Sequence, residues 1–169
     1  MSLSRFLTVL ALAALPVLAL APAPRAGEEH GAHGDHLATL GELRLVHAWT
    51  RATEDDHALV FVEIDNTGEA PVTLTGAASA IAEGAELVGF RLEEGEPGYV
   101  ALGKLPVAPG TEMALAPEGL ALRLEGLAGP LTEGETFPVE IVFDAGRVEM
   151  IVQVEAADAT QHGHAGHAH

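Results

Sequence analysis

The chain has 169 residues, 48% of them hydrophobic, enough for one folded domain with its own core. Its 25 acidic residues outnumber 8 basic ones, and the net charge of −17 argues against nucleic-acid or anionic-membrane binding. This charge favours cations and basic protein partners, although solubility alone would also explain it. Because there is no cysteine, disulfides, thiolate metal sites and cysteine nucleophiles are excluded.

The first element, residues 1–26, is typical of a secretory signal peptide. Arg5 precedes an apolar run of residues 6–20, which is shorter than the roughly 20 residues of a membrane span. Small residues follow, and cleavage is expected after Ala26, with Ala23 as the weaker alternative. We therefore expect a periplasmic or secreted protein without a membrane span after cleavage; an uncleaved segment would instead act as an anchor.

Histidine-rich segments flank the region that we expect to fold. Residues 27–38 are predicted to form a flexible N-terminal arm and residues 158–169 a C-terminal tail, because neither has a hydrophobic period. Seven of the nine histidines lie in these two segments. They are His30, His33, His36, His162, His164, His167 and His169.

Residues 39–157 consist of short apolar runs broken by turn residues, which predicts an all-β domain. Nine runs are typical of strands, beginning at 42, 58, 72, 85, 98, 111, 120, 137 and 147. The last two are joined by Asp-Ala-Gly, a hairpin signal. Many short strands at close spacing indicate an Ig-like, antiparallel Greek-key β-sandwich, or a barrel.

Several motifs in this region carry a family resemblance. They are Ala48-Trp49-x-Arg51-Ala52, the Asn66-Thr67-Gly68 turn and the spaced Gly, Leu and Pro residues of 107–134. From about Leu43 to Val154 the chain resembles the PCuAC family of periplasmic copper chaperones. The resemblance implies a cupredoxin-like β-sandwich that holds copper, typically Cu(I), through two His and two Met and delivers it toward respiratory oxidase assembly.

The chain departs from the ligand pattern that this resemblance implies. Val88 and Phe90 stand where the first His and Met are expected, and Ala121 and Arg123 stand where the second pair is expected. Besides Met1, the only methionines are Met113 and Met150. We expect a divergent member without the thioether site that suits Cu(I), with Arg123 paired to Glu86 or Glu125 or simply exposed.

Imidazoles in the two terminal segments are the alternative ligands. Imidazole suits Cu(II) and Zn(II), and Gly and Ala between the histidines let the backbone fold around an ion. Binding requires neutral imidazole, so it should weaken as pH falls through about 6.5. The alternative is that both segments are solvated polar tails without a specific role.

His47 and His57 lie inside the predicted sandwich, one on each side of the connection between its first two strands. Together with Asp55 or Asp56 they could form a further metal site. Alternatively, His47 is packed or hydrogen-bonded and His57 is a solvated turn residue. The pair completes the set of nine candidate metal ligands.

The leading hypothesis is a copper-binding protein or copper chaperone, not an enzyme. It would capture copper, more readily Cu(II) than Cu(I), through histidines and pass it to an acceptor protein of oxidase assembly. No catalytic motif such as Gly-x-Ser-x-Gly is present. The alternatives are a degenerate interaction module with incidental metal binding, or a periplasmic zinc-binding protein.

Overall fold

The computed structural model describes residues 36–163, which form eleven β-strands and no helix. The strands are β1 (Leu37–Leu40), β2 (Leu43–Arg51), β3 (His57–Asn66), β4 (Val72–Ala78), β5 (Ala82–Glu93), β6 (Glu96–Ala101), β7 (Leu105–Val107), β8 (Thr111–Leu115), β9 (Leu120–Leu127), β10 (Thr136–Phe143) and β11 (Gly146–Glu155). Among residues 36–163, no helix is long and apolar enough to span a membrane.

The strands form two layers that share β3. One layer runs β6-β5-β9-β3, and the other runs β3-β2-β11-β10-β4-β7, with β1 added to β2 and β8 added to β3. The first half of β3 pairs with β9, whereas its second half, from Val62 to Asn66, pairs with β8. β4 packs against β5 and β9 of the opposite layer. The predicted all-β sandwich is therefore confirmed.

Alternation along the strands places the core between the two layers. In β10 the side chains of Phe137, Val139, Ile141 and Phe143 are buried, while the residues between them are more exposed. This period of two is what a sheet with one face on the core requires. The fully buried set includes Leu45, Val60, Ile64, Leu74, Leu122, Leu124, Ile141 and Val152.

Asn66 ends β3 and stabilises the turn that follows it. Its side-chain amide donates to the carbonyl oxygens of Ala70 at 2.9 Å and Val107 at 3.2 Å, and its Oδ1 accepts from Gly68 N–H at 3.1 Å. The residue is 1% exposed, so these bonds satisfy a polar group that would otherwise be costly to bury. The Asn-Thr-Gly motif is thus a structural turn.

All nine predicted strands are present, and the predicted hairpin joins β10 to β11. Three details differ from the prediction. β1 begins at Leu37, inside the segment assigned to the arm, because Leu37 and Ala38 pair with Val46 and Leu45. β7, a three-residue strand against β4, was not predicted. The sandwich is not purely antiparallel, since β11 pairs with β2 in parallel at Gln153–Trp49 and onward.

Asp144 in the β10–β11 hairpin ties this hairpin to β4. Its Oδ1 accepts the backbone N–H of Thr73 at 2.9 Å, and this bond holds the pKa of Asp144 below its ordinary value of 3.8. A carboxyl whose pKa is lower in the folded chain stabilises the fold above the unfolded value and loses that effect as pH falls through the folded value.

Asp144→Asn should therefore lower the thermal unfolding midpoint at pH 7 and leave it unchanged at the acid end, below the folded pKa of Asp144. The measurement is a series of thermal melts from pH 7 to pH 2. Asp56→Asn is the matched control, because the Asp56 side chain is 90% exposed. Equal sensitivity to acid in Asp144→Asn and in the native chain would contradict the expectation.

Candidate metal centre

The pairing of β1 with β2 brings His36 beside His47. Leu37 pairs with Val46, and the ladder extends one step further because the backbone N–H of His47 donates to the carbonyl oxygen of His36 at 3.0 Å. The two imidazole rings have centroids 6.3 Å apart. The first histidine that the structure describes therefore lies against the sandwich, at the edge where β1 begins.

A β-bulge sets the direction of His47. Val46 pairs with Glu63 and Trp49 with Phe61, so β2 has one residue more than β3 across this interval. His47 adopts a φ of 55°, in the left-handed region that costs a non-glycine residue about 1–2 kcal/mol. Bulges redirect side chains, and here Nδ1 of His47 lies 3.7 Å from Oε1 of Glu63.

Glycine at position 47 should relieve this backbone cost. We expect His47→Gly to be more stable than His47→Ala by about 1 kcal/mol, because only glycine adopts a positive φ without a Cβ penalty. Urea unfolding of the two variants measures the difference. Since both remove the imidazole, they should bind metal equally poorly, which separates the strain from the ligand role. If His47→Ala were the more stable variant, the assignment of strain would be wrong.

The C-terminal segment folds back after β11 instead of leaving the sandwich at residue 158. The N–H of Ala159 donates to Ala156 O at 3.0 Å, and the guanidinium Nε of Arg51 donates to Ala159 O at 2.6 Å. Arg51 pairs with Glu155 in the parallel β2–β11 ladder, so this contact holds the turn at the end of the two strands. Residues 158–163 of the segment predicted as a flexible tail therefore lie against the ends of these strands.

Glu155 receives the returning segment. Its Oε1 accepts the backbone N–H of Gly163 at 3.0 Å and lies 2.8 Å from Nδ1 of His162. The side chain of His162 is 9% exposed and that of Glu155 is 18% exposed. The imidazole is therefore largely removed from water and lies against a carboxylate.

Three histidines from distant parts of the sequence consequently form one cluster. The centroid of the His162 ring lies 5.3 Å from that of His36 and 5.5 Å from that of His47. We refer to His36, His47 and His162 as the histidine cluster. Across residues 36–163, no group of three or more His, Asp or Glu side chains is arranged to hold a metal ion as it stands. The cluster thus consists of adjacent rings that have not converged on one point.

The other candidate histidines are not in this cluster. His57 opens β3, where its Nδ1 lies 3.4 Å from Asp56 and its side chain is 52% exposed. Because Val46 pairs with Glu63 and Trp49 with Phe61, His47 lies level with residues 62–63 of β3. His57 is five to six residues away from that level, which is roughly 18 Å along the strand. The structure therefore does not bring His47 and His57 together. His30, His33, His164, His167 and His169 lie outside the described residues.

The positions where the resemblance leads one to expect copper ligands form an apolar and ion-paired region. Val88 and Ala121 are directly paired across β5 and β9, and both are completely buried with Trp49 and Phe61. Two residues further along the same ladder, Arg123 forms an ion pair with Glu86, and its Nε lies 3.1 Å from Oε1 of Glu125. The predicted ion pairing of Arg123 is confirmed.

Phe90 and the methionines complete this picture. The ring of Phe90 contacts that of Tyr99 edge-on, with centroids 5.5 Å apart. Met150 is buried in the main core, and Met113 packs against the same core from β8. Both thioethers thus serve as packing groups in this structure.

Sequence reasoning missed the carboxylates and the cation that organise the cluster. Glu155 and Glu63 are two of many acidic residues, and nothing in their spacing distinguishes them; Arg51 belongs to the Ala48-Trp49-x-Arg51-Ala52 motif, but the motif does not indicate its contact with Ala159. Glu155 and His162 are seven positions apart on opposite sides of a turn, so only the folded chain shows their contact.

Comparisons with known proteins agree with the fold. The family model described as "Putative lipoprotein LpqE-like" matches residues 43–154. The structure titled "apo PmoF2 PCuAC domain" is 24% identical with a TM-score of 0.61, over 75% of this chain and 99% of that one. "Copper-bound PCuAC domain from PmoF2" is 22% identical with a TM-score of 0.61, over 72% and 98%.

A third similar structure is the solution structure of CuI-DR1885 from Deinococcus radiodurans. It is 23% identical with a TM-score of 0.51, over 75% of this chain and 85% of that one. At these identities the likeness shows a shared fold. No curated protein matches the chain.

Proposed function

The chain belongs to the LpqE-like family, and from this premise we propose that it is an exported, periplasmic copper-binding protein that captures copper through histidines. The observation that carries the proposal is the histidine cluster, in which His36 and His162 from the two histidine-rich segments meet His47 on the sandwich. Three imidazoles from separate segments, at one edge of the fold, are a donor set that copper favours.

The fold supports copper as the cargo. Two of the similar structures are described as copper-bound, and this chain has the same β-sandwich. The ligand chemistry favours Cu(II), because the donors in the cluster are imidazoles and the two described thioethers pack in the core. The net charge of −17 adds a long-range attraction for cations.

Delivery would proceed by ligand exchange. Imidazoles near the chain termini take up an ion and release it to an acceptor with a better-shaped site, such as a protein of oxidase assembly. We propose binding rather than catalysis as the activity, since the cluster contains ligands and their carboxylate partners and no nucleophile.

A competition titration tests this function. The protein, residues 27–169, is titrated with Cu(II), Cu(I) and Zn(II) against chromophoric chelators of known affinity. We expect a stoichiometric complex with Cu(II) that is tighter than those with Cu(I) and Zn(II). Preference for Zn(II) would replace copper by zinc as the cargo. Absence of stoichiometric binding of all three ions would overturn the proposal and leave a protein-interaction module as the better interpretation.

A further inference from the structure

Glu155 has two partners that tie the C-terminal segment to one imidazole. The same Oε1 atom accepts the N–H of Gly163 at 3.0 Å and lies 2.8 Å from Nδ1 of His162. Glu155 is the last residue of β11, and its backbone is in the ladder with Arg51. The carboxylate is therefore presented by a rigid strand, and the segment that carries His162 is bound to it.

The contact places a carboxylate oxygen beside one of the two ring nitrogens of His162. A carboxylate beside Nδ1 favours a proton on that atom, and Nε2 is then the atom that would bind a metal ion. Carboxylate–histidine–metal arrangements of this kind orient the ring and raise the basicity of the ligand. Glu63 stands in a similar relation to His47, with Oε1 3.7 Å from Nδ1.

The spacing of the three rings suits a common ion. Two imidazoles on one ion, each with a nitrogen about 2.0–2.1 Å from it, place their ring centroids roughly 4.5–6.5 Å apart, depending on the angle between them. The observed separations are 5.3, 5.5 and 6.3 Å. The ligand atoms have not converged on one point, so formation of the site requires the three side chains to rotate toward each other.

We propose that His36, His47 and His162 form a three-histidine copper site, in which Glu155 is the positioning residue that fixes the ring of His162. This rests on the proposed function and assigns its site. The N–H of Gly163 and Nδ1 of His162 both belong to the returning segment, so a copper ion bound to His162 also holds that segment on Glu155. Metal binding should then strengthen the docking of residues 156–163.

Two predictions distinguish the positioning role from a merely structural one. Glu155→Gln keeps the shape and an acceptor for Gly163 but removes the charge at Nδ1, so we expect Cu(II) affinity to fall about 10–100-fold, the usual cost of losing an outer-shell partner. The electron paramagnetic resonance spectrum of the remaining complex should also change, because the ligand field at His162 changes. Glu149→Gln, an exposed residue of the same strand, is the matched control.

The experiment measures the Cu(II) affinity of each protein and the hydrogen exchange of its residues 156–163. The proteins compared are the native form, a chain ending at Gly163, and the variants Glu155→Gln, His36→Ala and His162→Ala. We expect copper to slow exchange in the native protein, both alanine variants to lose tight binding, and the chain ending at Gly163 to retain it. If the alanine variants bind normally and the shortened chain does not, copper binding stands but the three-histidine site is wrong. If no form binds copper, the proposed function itself fails.

Discussion

Removing residues 161–169 is expected to abolish tight Cu(II) binding while leaving the sandwich folded. The deletion takes away His162, a ligand of the proposed site, together with His164, His167 and His169. Loss of a direct ligand should cost more than the roughly 10–100-fold that an outer-shell partner contributes. The fold should survive because the core lies between the two layers and ends with Val154 in β11.

The measurement is a Cu(II) titration combined with thermal melts of both forms without metal. The chain ending at Gly163 is the control, because it keeps His162 and the contact of Gly163 with Glu155. An unfolded deletion variant would mean that the segment is part of the structural core. Unchanged stoichiometry and affinity would place the copper site elsewhere in the chain.

Replacing Phe61 with Ala should destabilise the protein by about 3–5 kcal/mol, as large-to-small aromatic substitutions in cores do. Phe61 is 1% exposed, and its ring packs against Trp49 with centroids 4.7 Å apart. It also lies in the buried cluster with Val88 and Ala121. The effect should be among the largest of any single substitution, because β3 contributes to both layers.

Urea unfolding followed by the fluorescence of Trp49, the only tryptophan, measures this loss directly. Phe61→Leu retains most of the apolar volume and should cost less than half as much. The folded Phe61→Ala variant should still bind Cu(II), since the histidine cluster lies outside this apolar cluster. A loss below about 1 kcal/mol would show that the site collapses without a cavity.

Most of the fold could be predicted from the sequence because the strands are long and alternate clearly. The run from Gly146 to Glu155 has buried residues at every second position, and such a period leaves one choice for the face toward the core. β1 and β7 escaped prediction because four and three residues carry too little periodicity. The parallel pairing of β2 with β11 joins distant parts of the chain, and no local signal encodes it.

The sequence indicates which type of side chain could bind a metal ion, but it does not show which histidines lie together. Histidine content indicated imidazole ligands, and His36, His47 and His162 were all candidates. The contact of His47 with His36 depends on one step of β1–β2 register and on a bulge, and a histidine at a positive φ is not readable from the sequence. The return of His162 depends on a turn held by Arg51 and Glu155.

In the folded protein, packing and ion-paired residues occupy the positions where the PCuAC resemblance implies copper ligands. Val88 and Ala121 pair across β5 and β9 inside a closed apolar cluster, and Arg123 beside them forms ion pairs with Glu86 and Glu125. We infer that copper in this chain is bound at the β1–β2 edge rather than between β5 and β9. This chain shares its fold with the PCuAC domains, but the copper ligands that we propose for it differ from those that the resemblance implies.

The central claim is that one copper ion binds where His36, His47 and His162 meet. The most direct test is a crystal structure of residues 27–169 with Cu(II), with anomalous diffraction recorded at the copper edge. We expect one anomalous peak within bonding distance of Nε2 of His162 and of both other rings, with Glu155 still at Nδ1. A peak between β5 and β9, or no ordered copper at the cluster, would contradict the account.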